Sequence, residues 1–277
     1  MTMQLYHDIF KATQSPDDEA KDIVLLHGWG MNSLIWDDII PDLLKQHRVT
    51  VIDLPGLGRS PVPGGEYNLE YLTRHVAEVA PDNAIWIGWS LGGLIAMNMA
   101  IQHPEKVSAL ICVASTPSFV ARTASDSNGS TLGTWPCAMP EEIIDGFIDI
   151  FNEDSEGTLI RFLALQCKGS PTIRLDIKKL KDIVYFHGHP APQALREGLK
   201  ILRNEDLRCD LKKVQCPSLF ILGRNDNLVP VGVSSAIKEY CPSAEVSIIE
   251  EASHVPIISN PELFLEAVND FLSALNK

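Results

Sequence analysis

The sequence predicts a mostly parallel α/β sheet flanked by helices, with a helical cap inserted into it, on three observations. Short continuous apolar runs ending at turn residues alternate with helical stretches through residues 1–114. After residue 114 the strand-like runs stop: 115–128 is rich in Ser, Thr and Ala, and from Pro140 to about 205 apolar residues recur at helical spacing. From 206 to 277 the alternation resumes. Strands separated by helices imply right-handed crossovers and a parallel sheet. One α/β core formed by 1–114 and 206–277, interrupted by a cap over 115–205, follows from that pattern.

The elements follow in chain order. Ile23-Val24-Leu25-Leu26 ends at His27-Gly28, as a strand buried on both faces does. Residues 33–44 read as a helix, and Val49-Thr50-Val51-Ile52 as a strand ending at Asp53 and the turn Pro55-Gly56-Leu57-Gly58. A helix over 69–79 precedes the strand Ala84-Ile85-Trp86-Ile87, a helix over 91–102 follows it, and 107–114 forms the next strand. In the cap, Ile143, Ile144, Phe147, Ile150 and Phe151 share one helical face, and Leu159, Phe162, Leu163 and Gln166 share another. Two more cap helices run around Ile177–Val184 and Leu195–Leu202, with no strand signal between them. The core returns with a strand over 218–222, a helix over 231–239, a strand over 246–249 and a closing helix over 261–275.

Composition excludes several classes of function. The 277 residues are 45% hydrophobic and 21% charged, in the ordinary range for a globular chain. A formal net charge of −13 repels nucleic acid and anionic membrane at long range, so neither is an expected partner. Residues 1–8 lack the basic region and apolar run of a signal peptide. No stretch approaches the roughly 18 apolar residues of a spanning helix. The six cysteines, Cys112, Cys137, Cys167, Cys209, Cys216 and Cys241, form no CxxC pair. Free thiols in a monomeric cytoplasmic protein are expected, with no disulfide framework and no metal. His187-Gly188-His189 has no carboxylate or cysteine at ligand spacing and does not alter that expectation.

The chemistry is concentrated in four short segments. Gly88-Trp89-Ser90-Leu91-Gly92 has the G-x-S-x-G pattern of a serine on a sharp strand-to-helix turn, between an apolar strand and a helix expected to be amphipathic, with Leu94, Ile95, Met97, Met99 and Ala100 as its apolar residues. Side chains at the flanking glycines would collide with the neighbouring strand or helix, so that turn needs both. A serine hydroxyl is a weak nucleophile until a base takes its proton. Asp226, in Gly223-Arg224-Asn225-Asp226-Asn227, stands just after a strand. His254 stands just after the last strand, on the rim where Ser90 emerges. The order Ser, Asp, His is that of an orienting acid and a general base serving this kind of serine. His7, His47, His75 and His103 fall in an N-terminal segment or at helix ends, and Asp53 is expected to order its own turn. The oxyanion donors are expected to be the backbone N–H groups of Trp29, in the loop after the first core strand, and of Leu91. His27 is expected to brace that loop and to transfer no proton.

Three segments, Leu26-His27-Gly28-Trp29-Gly30-Met31-Asn32, Asp53-Leu54-Pro55-Gly56-Leu57-Gly58-Arg59-Ser60 and Gly88-Trp89-Ser90-Leu91-Gly92-Gly93, together with the cap run Arg161-Phe162-Leu163-Ala164-Leu165-Gln166, give the chain its likeness to a known family. The chain resembles the pimeloyl-acyl-carrier-protein methyl ester esterases of biotin synthesis over nearly its whole length. The resemblance implies the α/β-hydrolase fold and a serine carboxylesterase that needs no cofactor. It implies substrate contacts at Trp29, Ser90, Leu91 and His254, and an acyl tunnel lined by Phe162, Leu163, Ala164, Leu165 and Gln166. It further implies acyl carrier protein as partner, docked on a basic cap surface matched here by Arg161, Arg174 and Lys178, with Gly157 where another arginine is expected. Charge counting bears on docking separately: residues 157–203 hold nine Lys and Arg against three Asp and Glu, whereas the rest of the chain is strongly acidic. A basic cap on an acidic body steers an acidic carrier to the cap.

Other readings keep the same residues. A carbon–carbon hydrolase, a peptidase or a general short-chain esterase would use the same serine, and a non-catalytic small-molecule receptor would use the same fold. Haloalkane dehalogenase or epoxide hydrolase chemistry is disfavoured, because it places a carboxylate where Ser90 stands.

Overall fold

Four apolar runs too short to be helices and too buried to face water form the centre of one sheet. The computed structural model describes residues 4–16, 19–62, 64–121, 123–125, 131–135 and 138–275. The first half contains β1 (His7–Phe10), β2 (Lys21–Leu26), a 3-10 turn at Ser33–Trp36, α1 (Ile40–Leu43), β3 (His47–Ile52), α2 (Leu69–Val79), β4 (Ala84–Trp89), α3 (Leu91–Gln102) and β5 (Val107–Val113). Next come the strands β6 (Thr123–Ser125) and β7 (Thr131–Thr134), then the helices α4 (Glu141–Phe151), α5 (Ser155–Cys167), α6 (Ile173–Phe186) and α7 (Pro192–Asn204). The chain closes with β8 (Ser218–Gly223), α8 (Val233–Tyr240), β9 (Glu245–Ile249), α9 (Pro256–Ser259) and α10 (Pro261–Ala274).

Seven strands lie in the order β1-β3-β2-β4-β5-β8-β9, parallel except for β1, which runs antiparallel beside β3 with His7 opposite Ile52. All residues of β4 and β8 are buried, as expected of strands covered on both faces. The chain goes to β3 on one side of β2 and to β4 on the other, so the strand order reverses between β2 and β4. Crevices at the carboxyl ends of strands form where the order reverses. The register places Leu26 beside Gly88 and Trp89 beside Val113, bringing the loop after β2 level with the turn after β4.

Three expectations change. The helix over 33–44 is interrupted, leaving a single 3-10 turn and the four-residue α1. Pro41 has no N–H to donate and its ring crowds the preceding turn, which halts one continuous helix. The edge strand β1 was not anticipated: His7-Asp8-Ile9-Phe10 is half exposed and carries no apolar run, and an edge strand needs none. The antiparallel pair β6–β7, with Thr123 opposite Thr134, interrupts the stretch expected to lack strands. Cys137 lies outside the described residues. Cys112, Cys167, Cys209, Cys216 and Cys241 are free thiols. No helix among the described residues is long and apolar enough to cross a membrane.

Candidate active site

Ser90 stands between β4 and α3 with φ 55° and ψ −117°, a backbone conformation that costs a residue with a side chain of order 1–3 kcal/mol. The flanking glycines explain how the turn closes. A Cβ on Gly88 would lie 2.3 Å from the carbonyl oxygen of Gly92, and one on Gly92 would lie 2.3 Å from that of Leu26. Neither clash could be relieved without moving the backbone.

The structure brings the three expected side chains together. The Ser90 hydroxyl lies 2.9 Å from Nε2 of His254, and His254 Nδ1 lies 2.8 Å from Oδ2 of Asp226. An ionised carboxylate only accepts, so Nδ1 carries the proton and Nε2 accepts from the serine hydroxyl. The other carboxylate oxygen of Asp226 accepts the backbone N–H groups of Leu228 (2.8 Å) and Val229 (2.9 Å), which fixes the loop after β8. The His254 carbonyl accepts from the indole N–H of Trp89 at 2.7 Å, tying the histidine loop to the strand that carries the serine. Ser90, Asp226 and His254 are all buried, the histidine 1% exposed.

Above this group lies the loop after β2. Gly28 sits close enough to Ser90 that a Cβ there would be 3.1 Å from the serine Cβ and 2.9 Å from the Trp89 ring. Trp29, next in the chain, is buried over the same spot. Leu91 is the first residue of α3, where a backbone N–H has no acceptor within the helix. Nδ1 of His27 donates to the Gly28 carbonyl at 2.8 Å, and its Nε2 accepts the N–H of Leu54 at 2.9 Å. Burial holds the His27 imidazole below its ordinary range, so it is neutral, as those two bonds require. Asp53 is spent on its own turn, accepting the N–H groups of Ser33 (2.7 Å) and Arg59 (2.9 Å). Burial pushes the Asp53 carboxyl up, but nearby His27 and those two donors outweigh it and hold the group below its usual value.

Helices α5 to α7 close the site from above. Phe162 packs its ring 4.6 Å from Trp29; Leu163 and Gln166 are buried, and Ala164 and Leu165 half-buried. The side-chain oxygen of Gln166 has no hydrogen-bond partner among the described residues. Arg161, Arg174 and Lys178 are exposed on α5 and α6, and Arg161 lies 3.5 Å from Asp154.

The loops of the site are also tied to these helices through backbone carbonyls, which the sequence reading missed. The indole N–H of Trp29 donates to the Leu195 carbonyl at 2.7 Å, and the Asn32 carboxamide to that of Ile183 at 2.8 Å. The backbone N–H of His254 reaches the Gln166 carbonyl at 3.1 Å. Asn225 and Asn227 donate to the carbonyls of Gly169 (3.2 Å) and Lys168 (3.0 Å). The carboxamides of Asn32, Asn225 and Asn227, beside the motif residues, were the available signal. Nothing in the sequence pointed to their acceptors.

Comparison with known proteins places the chain among hydrolases. A family model described as alpha/beta hydrolase fold matches residues 22–142. A pimeloyl-[acyl-carrier protein] methyl ester esterase of Aeromonas hydrophila is 41% identical over 257 residues, covering 92% of this chain and 96% of that one. Its counterpart in Vibrio cholerae is 38% identical over 271 residues, covering 98% and 99%. Among solved structures, an esterase from Exiguobacterium antarcticum superposes with a TM-score of 0.80 over 97% of this chain and 95% of that one, at 21% identity.

Proposed function

The chain belongs to the family of pimeloyl-[acyl-carrier protein] methyl ester esterases, and we propose that it hydrolyses the methyl ester of carrier-bound pimelate in biotin synthesis, with Ser90 as nucleophile, His254 as general base and Asp226 as orienting acid. The observation that carries this reading is the unbroken chain of hydrogen bonds Ser90–His254–Asp226 at 2.9 and 2.8 Å.

In the proposed cycle the Ser90 hydroxyl attacks the ester carbonyl while His254 Nε2 takes its proton. The N–H groups of Trp29 and Leu91 hold the oxyanion, a donor of this kind contributing about 2.7–4 kcal/mol to the transition state. Asp226 keeps the imidazole in the tautomer with Nδ1 protonated and stabilises the imidazolium that forms. Methanol departs with the proton from His254. Water then attacks the acyl-enzyme with His254 again as base, releasing the free carboxylate. No step calls for a metal or cofactor.

On this reading α4 to α7 form the cap. Phe162, Leu163, Ala164 and Leu165 wall the acyl chain between cap and core, with Trp29 at the reacting end. The unpartnered oxygen of Gln166 gives that wall one polar point. Arg161, Arg174 and Lys178 present positive charge on the outer cap surface, where an acidic acyl carrier protein would dock.

Replacing Ser90→Ala leaves the fold intact by circular dichroism and abolishes methyl ester hydrolysis; normal turnover by the pure variant would end the reading. A bacterial biotin auxotroph lacking its own methyl ester esterase is expected to grow without biotin when given the wild-type gene. It is expected not to grow when given the Ser90→Ala gene.

A further inference from the structure

Three loops of the candidate site, after β2, β8 and β9, each donate to α5–α7 or to the turn after α5, and each tie ends on a backbone carbonyl. The acceptors at Gln166, Lys168 and Gly169 lie at the end of α5, where helix carbonyls have no partner within the helix. Removing the helical segment would leave those carbonyls, the Trp29 indole and three carboxamides to find water instead. The contact is also sterically close. A Cβ on Gly198 of α7 would lie 2.7 Å from Trp29 Cδ1. One on Gly30 would lie 2.8 Å from a Leu159 methyl of α5, and Gly30 itself holds φ 72°. Trp29, expected to supply an oxyanion N–H, is therefore held from one side by Phe162 and from the other by Leu195 and Gly198.

We propose that α5–α7 are a positioning part of the active site that stays seated throughout turnover, with Trp29 and the carboxamides of Asn32, Asn225 and Asn227 as the positioning residues. A lid that swung clear would break the ties to the oxyanion loop, the acid loop and the histidine loop together. Substrate must then reach the buried serine by side-chain movement at an existing opening. A cavity of about 410 Å³ lies beside α5 and α7, lined by Leu159 and Leu195, the residues that meet Gly30 and Trp29, together with Val62, Tyr185 and His189. The inference rests on the hydrolase reading above and adds to it that catalysis and cap opening exclude one another.

The test locks the segment down. Lys179 of α6 forms a surface ion pair with Asp38 of the core, and neither makes a hydrogen bond to Ser90, Asp226 or His254. The double variant Asp38→Cys/Lys179→Cys is joined with a short bismaleimide, and the bridged species is purified and verified by mass. Wild type treated alike controls for the native thiols. The bridged protein is expected to hydrolyse 4-nitrophenyl acetate and the carrier-bound methyl ester with kcat within about twofold of the unbridged form. Loss of kcat only on bridging means the segment must lift and overturns the inference while leaving the hydrolase reading standing; inactivity of both forms overturns the two together. In the second arm, Trp29→Phe keeps the aromatic wall and removes the N–H to Leu195. It is expected to lower kcat on 4-nitrophenyl acetate about tenfold with a smaller change in KM. Amide exchange over 195–199 is expected to accelerate. An unchanged kcat would remove Trp29 as a positioning residue.

Discussion

His27 shows how one buried side chain holds a loop and makes stability depend on pH. In the folded protein it is neutral, donating to the Gly28 carbonyl and accepting from Leu54, with burial keeping it from taking a second proton. In the unfolded chain it protonates near its ordinary value of 6.5. Below that pH the unfolded state binds the extra proton, so stability falls as pH falls from about 6.5 toward the depressed folded value, and is fully present above it. His47, also pulled down first by burial, adds to the same slope. His27→Gln is expected to lower stability at pH 7 by about 1–3 kcal/mol, since buried partners lose their bonds. The same variant is expected to show a shallower fall in Tm between pH 6.5 and 5 than wild type, and thermal melts across that range check both. Ser90, Asp226 and His254 were legible in the sequence because each had to follow a strand and the order had to be Ser, Asp, His. The bracing of Trp29 was not legible, because its partner is a carbonyl 166 positions away with no side-chain signature.

Among the elements, α7 and α3 meet the site in opposite ways. α3 begins at the Ser90 turn and needs Gly88 and Gly92 as they are. α7 lays Gly198 flat against Trp29. Within a helix, alanine is favoured over glycine by about 1 kcal/mol. Gly198→Ala is nevertheless expected to reduce kcat, because the added methyl meets the rigid indole at 2.7 Å and displaces either the helix or the loop after β2. Ester kinetics together with a thermal melt decide it: full activity with a raised Tm would show that the contact has slack. The parallel strands were readable as apolar runs, and α2 and α10 from their spacing; α3 was expected to be amphipathic, but it is buried on every face from Leu91 to Ala100 because it packs beneath the sheet's central strands. Three further features were not readable. β1 gains its place by pairing rather than burial. The 33–44 segment has helical periodicity, but Pro41 interrupts it. α5 starts earlier than its apolar face, at Ser155, because the Asp154 carboxylate accepts the Gly157 N–H at 2.8 Å and caps it.

Across the whole molecule, charge is divided unevenly. The chain carries a net −13, yet residues 157–203 are basic. An acidic partner is repelled by most of the surface and drawn to one part of it, and salt screens that attraction over a Debye length of about 8 Å at 0.15 M. Arg161→Glu/Arg174→Glu is expected to raise KM for the carrier-bound ester several-fold while leaving small methyl esters unaffected. Added salt should reproduce the same split in wild type. Equal responses by both substrates would show that the outer helices do not dock the carrier. The division into basic and acidic regions was visible in the sequence as a count. Which basic side chains face outward was not, since that depends on how α5 and α6 turn against the core.

The ties from the loops of the site to the helices end on carbonyl groups, and every amino acid carries one. Side chains along α5, α6 and α7 that do not press on Trp29, as Gly198 and Phe162 do, can therefore be exchanged for others of similar helix-forming tendency without cutting those anchors. On the proposed function, a wall of this kind can be reshaped to admit longer or shorter acyl chains while the loops that carry Ser90, Asp226 and His254 keep their alignment.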